Sequence, residues 1–458
     1  MSTPTLTLYR ERDLLKVLDL LADGHCVAVV GLSNTGKSEL LRALQTPGAA
    51  ARFQKLTDSE ALFVYVDCNR MLELSPRGFD EAILRAILEA LPPEEAELKA
   101  AVKEQYQIVV QPPNDFAVPL AFNNALVALV EGGSRRVILL LDEFDEVLTG
   151  IEPRLLLNLR AMRDKYGTDL SYVIASVIPP SQVSQDDEHV AEFAELFTVG
   201  RHFLGPLPPE ETRLMAEEWF AAAGDHLDEA EAAYVLAQAG GHPGLIRSVC
   251  RVLLQVESGA PQLYQQRAFE VTDVALENDR LTLTELRRLW EQLPPQGQAA
   301  AIEVATTGQA NEEALQLLAQ RGVLIEGRGD QPPRLFGELF ARFARRKALA
   351  QHGVQRGVWV DTDAGQVWVD GFPVPTLTEL EYRLLLLLYG RLNKICDKYQ
   401  LVEAVWGQEY IDEVDDARVE KLVSRLRAKL EDHPQASRYL ITVRGRGYKL
   451  SSVPELEN

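Results

Sequence analysis

The sequence predicts an α/β core, a parallel sheet with helices on both faces, and three stretches of the 458 residues carry that prediction. Val27 to Val30 is a short apolar run, followed at once by Gly31-Leu32-Ser33-Asn34-Thr35-Gly36-Lys37-Ser38 and by the helical pattern Glu39 to Leu44. Ala61 to Asp67 is a second apolar run and Arg136 to Asp142 a third, each of the length and composition of a strand buried on both faces. Strands alternating with helical segments pair in parallel through crossover helices.

The first stretch fills every fixed position of G-x-x-x-x-G-K-[ST]. In such a loop the glycines let backbone N–H groups curl around a polyphosphate at the N-terminus of the next helix. Gly31 to Ser38, with Glu39 after them, are therefore the expected nucleotide-binding residues; Lys37 would reach the β/γ-phosphates and the Ser38 hydroxyl would ligate Mg²⁺. A chance Gly-rich strand-to-helix turn is the competing reading. The third stretch ends in Asp142-Glu143-Phe144-Asp145, which puts acids at the carboxyl edge of a sheet, where ligands of open α/β folds bind. Asp142 would hold Mg²⁺, and Glu143 would orient or deprotonate an attacking water; otherwise the two carboxylates merely cap the next helix. Lys37 and Glu143 are thus the expected catalytic pair of a P-loop NTPase core. ATP with Mg²⁺ is favoured over GTP, because the nearest approach to N-K-x-D, Asn393-Lys394-Ile395-Cys396-Asp397, has one residue too many and lies outside the core.

Length and 46% hydrophobic content call for three or four domains. The net charge of −21 argues against indiscriminate nucleic-acid binding by the whole chain. Five Arg/Lys face thirteen Asp/Glu between Pro206 and Arg280, an acidity expected to solvate helix faces. Cys26, Cys68, Cys250 and Cys396 lie far apart without metal-ligand spacing and read as buried thiols. No apolar run approaches about 20 residues and no basic-then-apolar leader opens the chain, so a cytoplasmic protein with no membrane association is expected.

The opening Leu8-Tyr9-Arg10-Glu11-Arg12-Asp13-Leu14-Leu15, an Arg-Glu element running into a helix before strand and phosphate loop, resembles the start of the AAA-related STAND-class signal-transduction NTPases and of the archaeal-type ATPases related to them. That resemblance implies that Arg10 and Glu11 help close the nucleotide site; a surface helix start would use them equally well. It also implies that Ser176, ending the apolar strand Ser171 to Val177, senses the γ-phosphate, unless it simply ends a strand. No arginine follows that strand at once, so the source of a charge-neutralising arginine stays open. From Phe203-Leu204-Gly205-Pro206-Leu207 onward the chain resembles the all-α lid of these ATPases. Within it Gly240-Gly241-His242-Pro243-Gly244-Leu245-Ile246-Arg247 resembles their Gly-x-Pro element. Pro243 would then line the adenine pocket, and His242 and Arg247 would sense nucleotide; alone, the segment is an ordinary turn between helices. Residues 281–349 are similar to the winged helix that follows such lids, and its candidate recognition helix, Asn311 to Gln320, has few bases and is assigned to packing or relay.

Gly353 to Val453 reads as short strands (Val358 to Asp361, Gln366 to Asp370, Phe372 to Val374) with turns at Asp363-Ala364-Gly365 and Gly371, a Thr378-x-x-Glu381 capping box, helical segments Gln400 to Trp406 and Asp415 to Leu430, and a hairpin from Leu440 to Leu450. Leu377-Thr378, Val405-Trp406, Ser424-Arg425-Leu426-Arg427-Ala428-Lys429-Leu430 and Thr442-Val443-Arg444-Gly445-Arg446-Gly447-Tyr448 give it a strong resemblance to the OmpR/PhoB-type winged helix of bacterial transcription regulators. The residues argue the same way by themselves. Val419, Leu422, Val423, Leu426 and Leu430 form one apolar stripe at helical spacing, and the opposite face collects Ala417, Arg418, Lys421, Ser424, Arg425 and Ala428. Small residues beside basic ones let a helix lie deep in a major groove. Arg418, Lys421, Ser424, Arg425 and Arg427 on this segment, with Arg444 and Arg446 on the hairpin, are the expected double-stranded DNA contacts. Nine Lys/Arg face three acids from Arg418 to Lys449, a local reversal of the chain's sign; a solvated helix face used for protein contacts is the alternative. The acidic loop Asp412, Glu413, Asp415 and Asp416 lies where the family engages RNA polymerase, which the resemblance implies as a partner.

The expected organisation is an ATPase core at 1–205, a helical lid at 206–280, a relay winged helix at 281–350 and a DNA-binding winged helix at 353–458. The leading expectation is an ATP-controlled, sequence-specific transcription regulator, a slow ATPase whose nucleotide state sets its conformation or an ATP-dependent homo-oligomer. An AAA-like DNA-remodelling or initiator ATPase, and a STAND-type signalling or defence scaffold using the winged helix as an adaptor, stand as alternatives.

Overall fold

The computed structural model describes residues 9–114, 116–133, 135–183, 188–259, 261–325, 327, 332–351, 357–361, 365–370, 372–410, 414–431 and 438–453. The chain divides into two compact units, one of residues 1–211 with 317–323 and one of residues 212–316 with 324–458.

Five parallel strands organise the first unit: β1 (Val27–Val30), β2 (Ala61–Asp67), β3 (Arg136–Asp142), β4 (Leu170–Ser176) and β5 (Arg201–Phe203), in the order β2-β3-β4-β1-β5. It is a P-loop NTPase sheet. Because side chains alternate along each strand, Ala28, Val64, Leu139 and Ile174 pack on one face and Val29, Phe63, Leu140 and Val173 on the other. Helices Pro76–Ala90, Ala96–Val110, Ala117–Gly132 and Pro153–Tyr166 cover the first face; Glu11–Ala22, Lys37–Leu44 and Pro47–Thr57 cover the second. Val30 pairs with Ser176 and Asp67 with Asp142, so the phosphate loop and the acid pair emerge at one carboxyl edge.

The predicted strands at 27–30, 61–67 and 136–142 form with those bounds, and β4 ends one residue before the expected Val177. Two features escape sequence reading. The charged stretch after Pro92-Pro93 turns into the helix Ala96–Val110, whose Val102 and Val109 are buried. The three-residue β5 is too short to carry a periodic signal, and it pairs with β1 through Ala28–Arg201 and Val30–Phe203.

The second unit is helical from Glu229–Ala239 through Pro243–Gly259, Pro261–Asn278, Arg280–Glu291 and Pro295–Thr307, and a two-stranded ribbon, Leu324–Ile325 with Arg334–Leu335, precedes the helix Glu338–Gln351. A three-stranded antiparallel sheet (Val358–Asp361, Gln366–Val369, Phe372–Pro373) then leads into helices Glu379–Gly390, Lys398–Trp406 and Asp416–Leu430 and the hairpin Leu440–Val443 with Gly447–Leu450. The Thr378–Glu381 capping box forms as its spacing predicts. The acidity between 206 and 280 is not all solvated: Glu277 is 3% exposed and receives Arg342 at 3.3 Å, Arg346 at 3.0 Å and Arg438 at 2.5 Å. All four cysteines are free and buried. No helix of the described residues is long and apolar enough to cross a membrane.

Candidate nucleotide site and candidate DNA-binding face

The phosphate loop is held open by backbone geometry. Gly36 has φ +98° and Asn34 φ +58°, left-handed conformations that only glycine and, less readily, asparagine adopt without cost. A Cβ at Gly31 would lie 3.0 Å from the Leu204 carbonyl oxygen and 3.0 Å from Thr35 Oγ1, so the loop tolerates no bulk there. Lys37 is 5% exposed; its Nζ donates to the carbonyls of Gly31 (2.8 Å) and Leu32 (3.1 Å). Burial lowers its pKa, and Glu143, Asp145 and Asp142 oppose that fall. Ser38 is half-buried at the start of the loop helix, while Asn34 and Glu39 are exposed.

Arg10 braces this loop from behind. It is 4% exposed, donates from Nε to the Thr35 carbonyl (3.0 Å), from the guanidinium to the Gly205 carbonyl (2.8 Å), and pairs with Asp13 at 3.2 Å. Its own amide donates to Glu211 Oε2 at 2.9 Å. The Arg10 of the opening element therefore touches loop main chain, whereas Glu11 is exposed.

Across the sheet edge Asp142 is 1% exposed and oriented on both oxygens, by the Tyr65 hydroxyl at 2.6 Å and the Glu143 amide at 3.0 Å. Glu143 sits at φ +51°, a left-handed kink that turns the chain out of β3, and burial raises its carboxyl above the usual glutamate value while Lys37 pulls it down. Asp145 accepts from the amides of Val177 (2.8 Å) and Ile178 (3.4 Å), tying this kink to the end of β4. Hydroxyl and carboxylate oxygens from Ser38 and Asp142 are the hard donors that Mg²⁺ prefers, so the residues present fit that ion.

Three expected nucleotide contacts engage their own chain in this structure. Ser176 ends β4 beside the loop, but its buried hydroxyl donates to the Ile178 carbonyl at 2.8 Å instead of pointing outward. His242 is 2% exposed, accepts the Leu245 amide on Nδ1 at 3.3 Å and lies 5.6 Å from the Phe336 ring; Pro243 opens the helix it caps. These are helix-start roles within the second unit. Tyr65 and Arg321 are the groups that sequence reading missed: Arg321, at the end of helix Glu312–Gln320, donates to the Val177 carbonyl (2.8 Å) and Gln182 (3.0 Å). A tyrosine 77 residues before its carboxylate leaves no local signal.

In the C-terminal helix Asp416–Leu430 the apolar stripe Val419, Leu422, Val423, Leu426 and Leu430 is buried, and Ala417, Arg418, Lys421, Ser424, Arg425 and Ala428 are all exposed. Arg427 is half-buried, and its Nε and terminal nitrogen donate to the Leu440 carbonyl at 3.1 and 2.6 Å, the latter also to Thr442 Oγ1 at 2.9 Å, so it staples the helix to the hairpin. Arg444 and Arg446 are exposed at the hairpin tip. Asp415 caps the helix by accepting the Arg418 amide at 2.9 Å, and Asp416 pairs with Lys398 at 2.6 Å; Asp412 and Glu413 of the acidic loop lie outside the described residues.

Residues 374–450 match the family model described as "Transcriptional regulatory protein, C terminal". This C-terminal domain is an OmpR/PhoB-type winged helix. Its match to the sensory transduction protein RegX3 of Mycolicibacterium smegmatis is 38% identical over 93 residues, 20% of this chain and 40% of the relative. The chain spans about two fifths of the length of the curated relatives it matches first. Among solved structures, the Klebsiella pneumoniae RstA DNA-binding domain in complex with the RstA box is 29% identical, covered over 96% of its length by 22% of this chain, with a TM-score of 0.20. The Walker-type ATPase PABY2304 of Pyrococcus abyssi is 16% identical, with 73% of this chain and 95% of that one covered, at a TM-score of 0.44. The OmpR/PhoB-type domain therefore carries the family likeness in sequence.

Proposed function

We propose that this chain is an ATP-dependent switch that binds specific DNA through its OmpR/PhoB-type domain and regulates transcription. The observation that carries the reading is the pairing, in one chain, of a phosphate loop and acid pair on one sheet edge with a winged helix whose exposed helix face is small and basic. In that reading Lys37 leaves the Gly31 and Leu32 carbonyls to meet the β/γ-phosphates, and the loop amides of residues 31–38 bind the remaining phosphate oxygens. Ser38 and Asp142 would hold Mg²⁺, which when bound neutralises phosphate charge, with Tyr65 keeping Asp142 oriented. Glu143, with its raised pKa, accepts a proton from the attacking water, and turnover is slow enough to serve as a reset. Residues 1–205 serve as the ATPase core, 206–280 as the lid, 281–350 as a relay and 353–458 as the DNA reader.

Support for coupling comes from the second unit, where Glu277 of helix Pro261–Asn278 joins Arg438 of the winged helix to Arg342 and Arg346 of helix Glu338–Gln351. A nucleotide-driven shift of those helices would reach the DNA-binding domain through a buried ionic junction, provided ATP binds the two arrangements with different affinity. The test is DNA capture from sheared genomic fragments by the Glu143→Gln protein with ATP–Mg²⁺, with ADP and without nucleotide. A few discrete sites whose enrichment changes with nucleotide are expected. Discrete sites indifferent to nucleotide would refute the switch, and no enrichment in any state would refute the DNA reader.

A further inference from the structure

The first unit contains a cavity of about 1030 Å³ beneath helices Pro76–Ala90, Ala117–Gly132 and Pro153–Tyr166. Its volume is at the upper end of the range that encloses a drug-sized ligand. Asp80 lines it. That side chain is 2% exposed, and its buried Oδ1 has no hydrogen-bond partner among the described residues. Burial, with no opposing charge or hydrogen bond, pushes the carboxyl well above the usual range. A buried carboxyl left unpaired is costly, and a cation arriving in the cavity would remove that cost.

The rest of the lining tells which cation. Phe116, Val118, Leu155 and Leu157 supply an apolar wall, with Phe116 87% exposed beside it. Arg77 is engaged by the Val109 and Val110 carbonyls at 3.0 and 2.7 Å, and Arg160 by Asp164 at 3.0 Å. Glu73, Glu152 and Glu192 then outweigh Arg154 around the cavity. Phe79, next to Asp80, packs 6.1 Å from Phe144, so the cavity wall and the kink bearing Glu143 share one packed layer.

We propose that this cavity binds a small amphipathic organic cation, an arylalkylamine in chemical class, with its ammonium on Asp80 and its apolar body against Phe116, Val118, Leu155 and Leu157. The site is independent of the nucleotide reading, and its assay contains no nucleotide. Saturation-transfer NMR on the full chain would compare tryptamine, phenethylamine and 4-phenylbutylamine with the corresponding alcohols. The expected result is saturable binding of at least one amine, at least about tenfold weaker for its alcohol and for Asp80→Asn, because both remove the charge pair. Ala161→Trp, made at an exposed position lining the cavity, narrows the space and should weaken binding even where Asp80→Asn folds poorly. Absence of saturable binding by all three amines at millimolar concentration, equal binding of amine and alcohol, or unchanged affinity in Asp80→Asn or Ala161→Trp would each overturn the proposal.

Discussion

Gly447 should be the least replaceable residue of the hairpin. Its φ is +124°, and a Cβ there would lie 2.1 Å from the Cys396 carbonyl oxygen. That carbonyl belongs to a bridge in which the Tyr448 amide donates to Cys396 at 2.9 Å and the Cys396 amide donates to Tyr448 at 2.8 Å. Gly447→Ala must therefore strain the backbone, at about 1–3 kcal/mol, and push the bridge apart, at about 1 kcal/mol for each hydrogen bond. Together these come to about 3–5 kcal/mol, or roughly a hundred- to several-thousandfold loss of hydrogen-exchange protection at the Cys396 and Tyr448 amides. Gly445 is the control: its φ is +70°, but nothing lies within 4 Å of an added Cβ, so Gly445→Ala should cost only about 1 kcal/mol. Hydrogen exchange on the full chain reads the hairpin locally, without requiring the whole molecule to unfold in one step. Equal loss in the two variants, or a loss under about tenfold in Gly447→Ala, would refute the close-approach argument.

Replacing both Lys421 and Arg425 by Ala should weaken binding to a captured site and lower the slope of log affinity against log salt by about two if both meet phosphates; fluorescence anisotropy at several salt concentrations measures it, and unchanged affinity would remove the helix from the interface. Glu277→Gln leaves Arg342, Arg346 and Arg438 converging on a neutral amide, so exchange at the Arg438, Tyr439 and Leu440 amides, all now held by Glu431, should quicken by an amount corresponding to about 2–3 kcal/mol. For Glu381, burial would raise the pKa, but Lys429 at 2.7 Å and the Thr378 amide at 2.8 Å more than offset it, and the folded value is depressed. Its stabilisation is thus complete above the ordinary glutamate pKa and is lost as pH falls through the depressed folded value. Acid unfolding followed by circular dichroism should show this loss in the native chain and not in Glu381→Gln.

Much of this molecule is written in local patterns. A strand, four fixed loop positions and a helix placed the phosphate loop, because the glycines and Lys37 act within eight residues of one another. A run of apolar residues ending in acids likewise located β3, and the 3.6-residue period separated the buried from the exposed side of helix Asp416–Leu430 residue by residue. Where local patterns run out, the deciding partner is far away in the chain. Arg427 and Arg425 look alike on a helix, but the Leu440 carbonyl claims one and leaves the other exposed.

The sequence by itself determined that an α/β core with a phosphate-loop motif precedes a winged helix with a basic face, since propensity, periodicity and motif spacing are properties of contiguous residues. Only the tertiary structure decided the strand order β2-β3-β4-β1-β5, the bracing of the loop by Arg10, the hydrogen bond from Tyr65 to Asp142 and the burial of Glu277 among arginines. Each depends on groups tens to hundreds of residues apart being brought within a few ångströms. Chain folding sets such distances, and no spacing along the sequence encodes them.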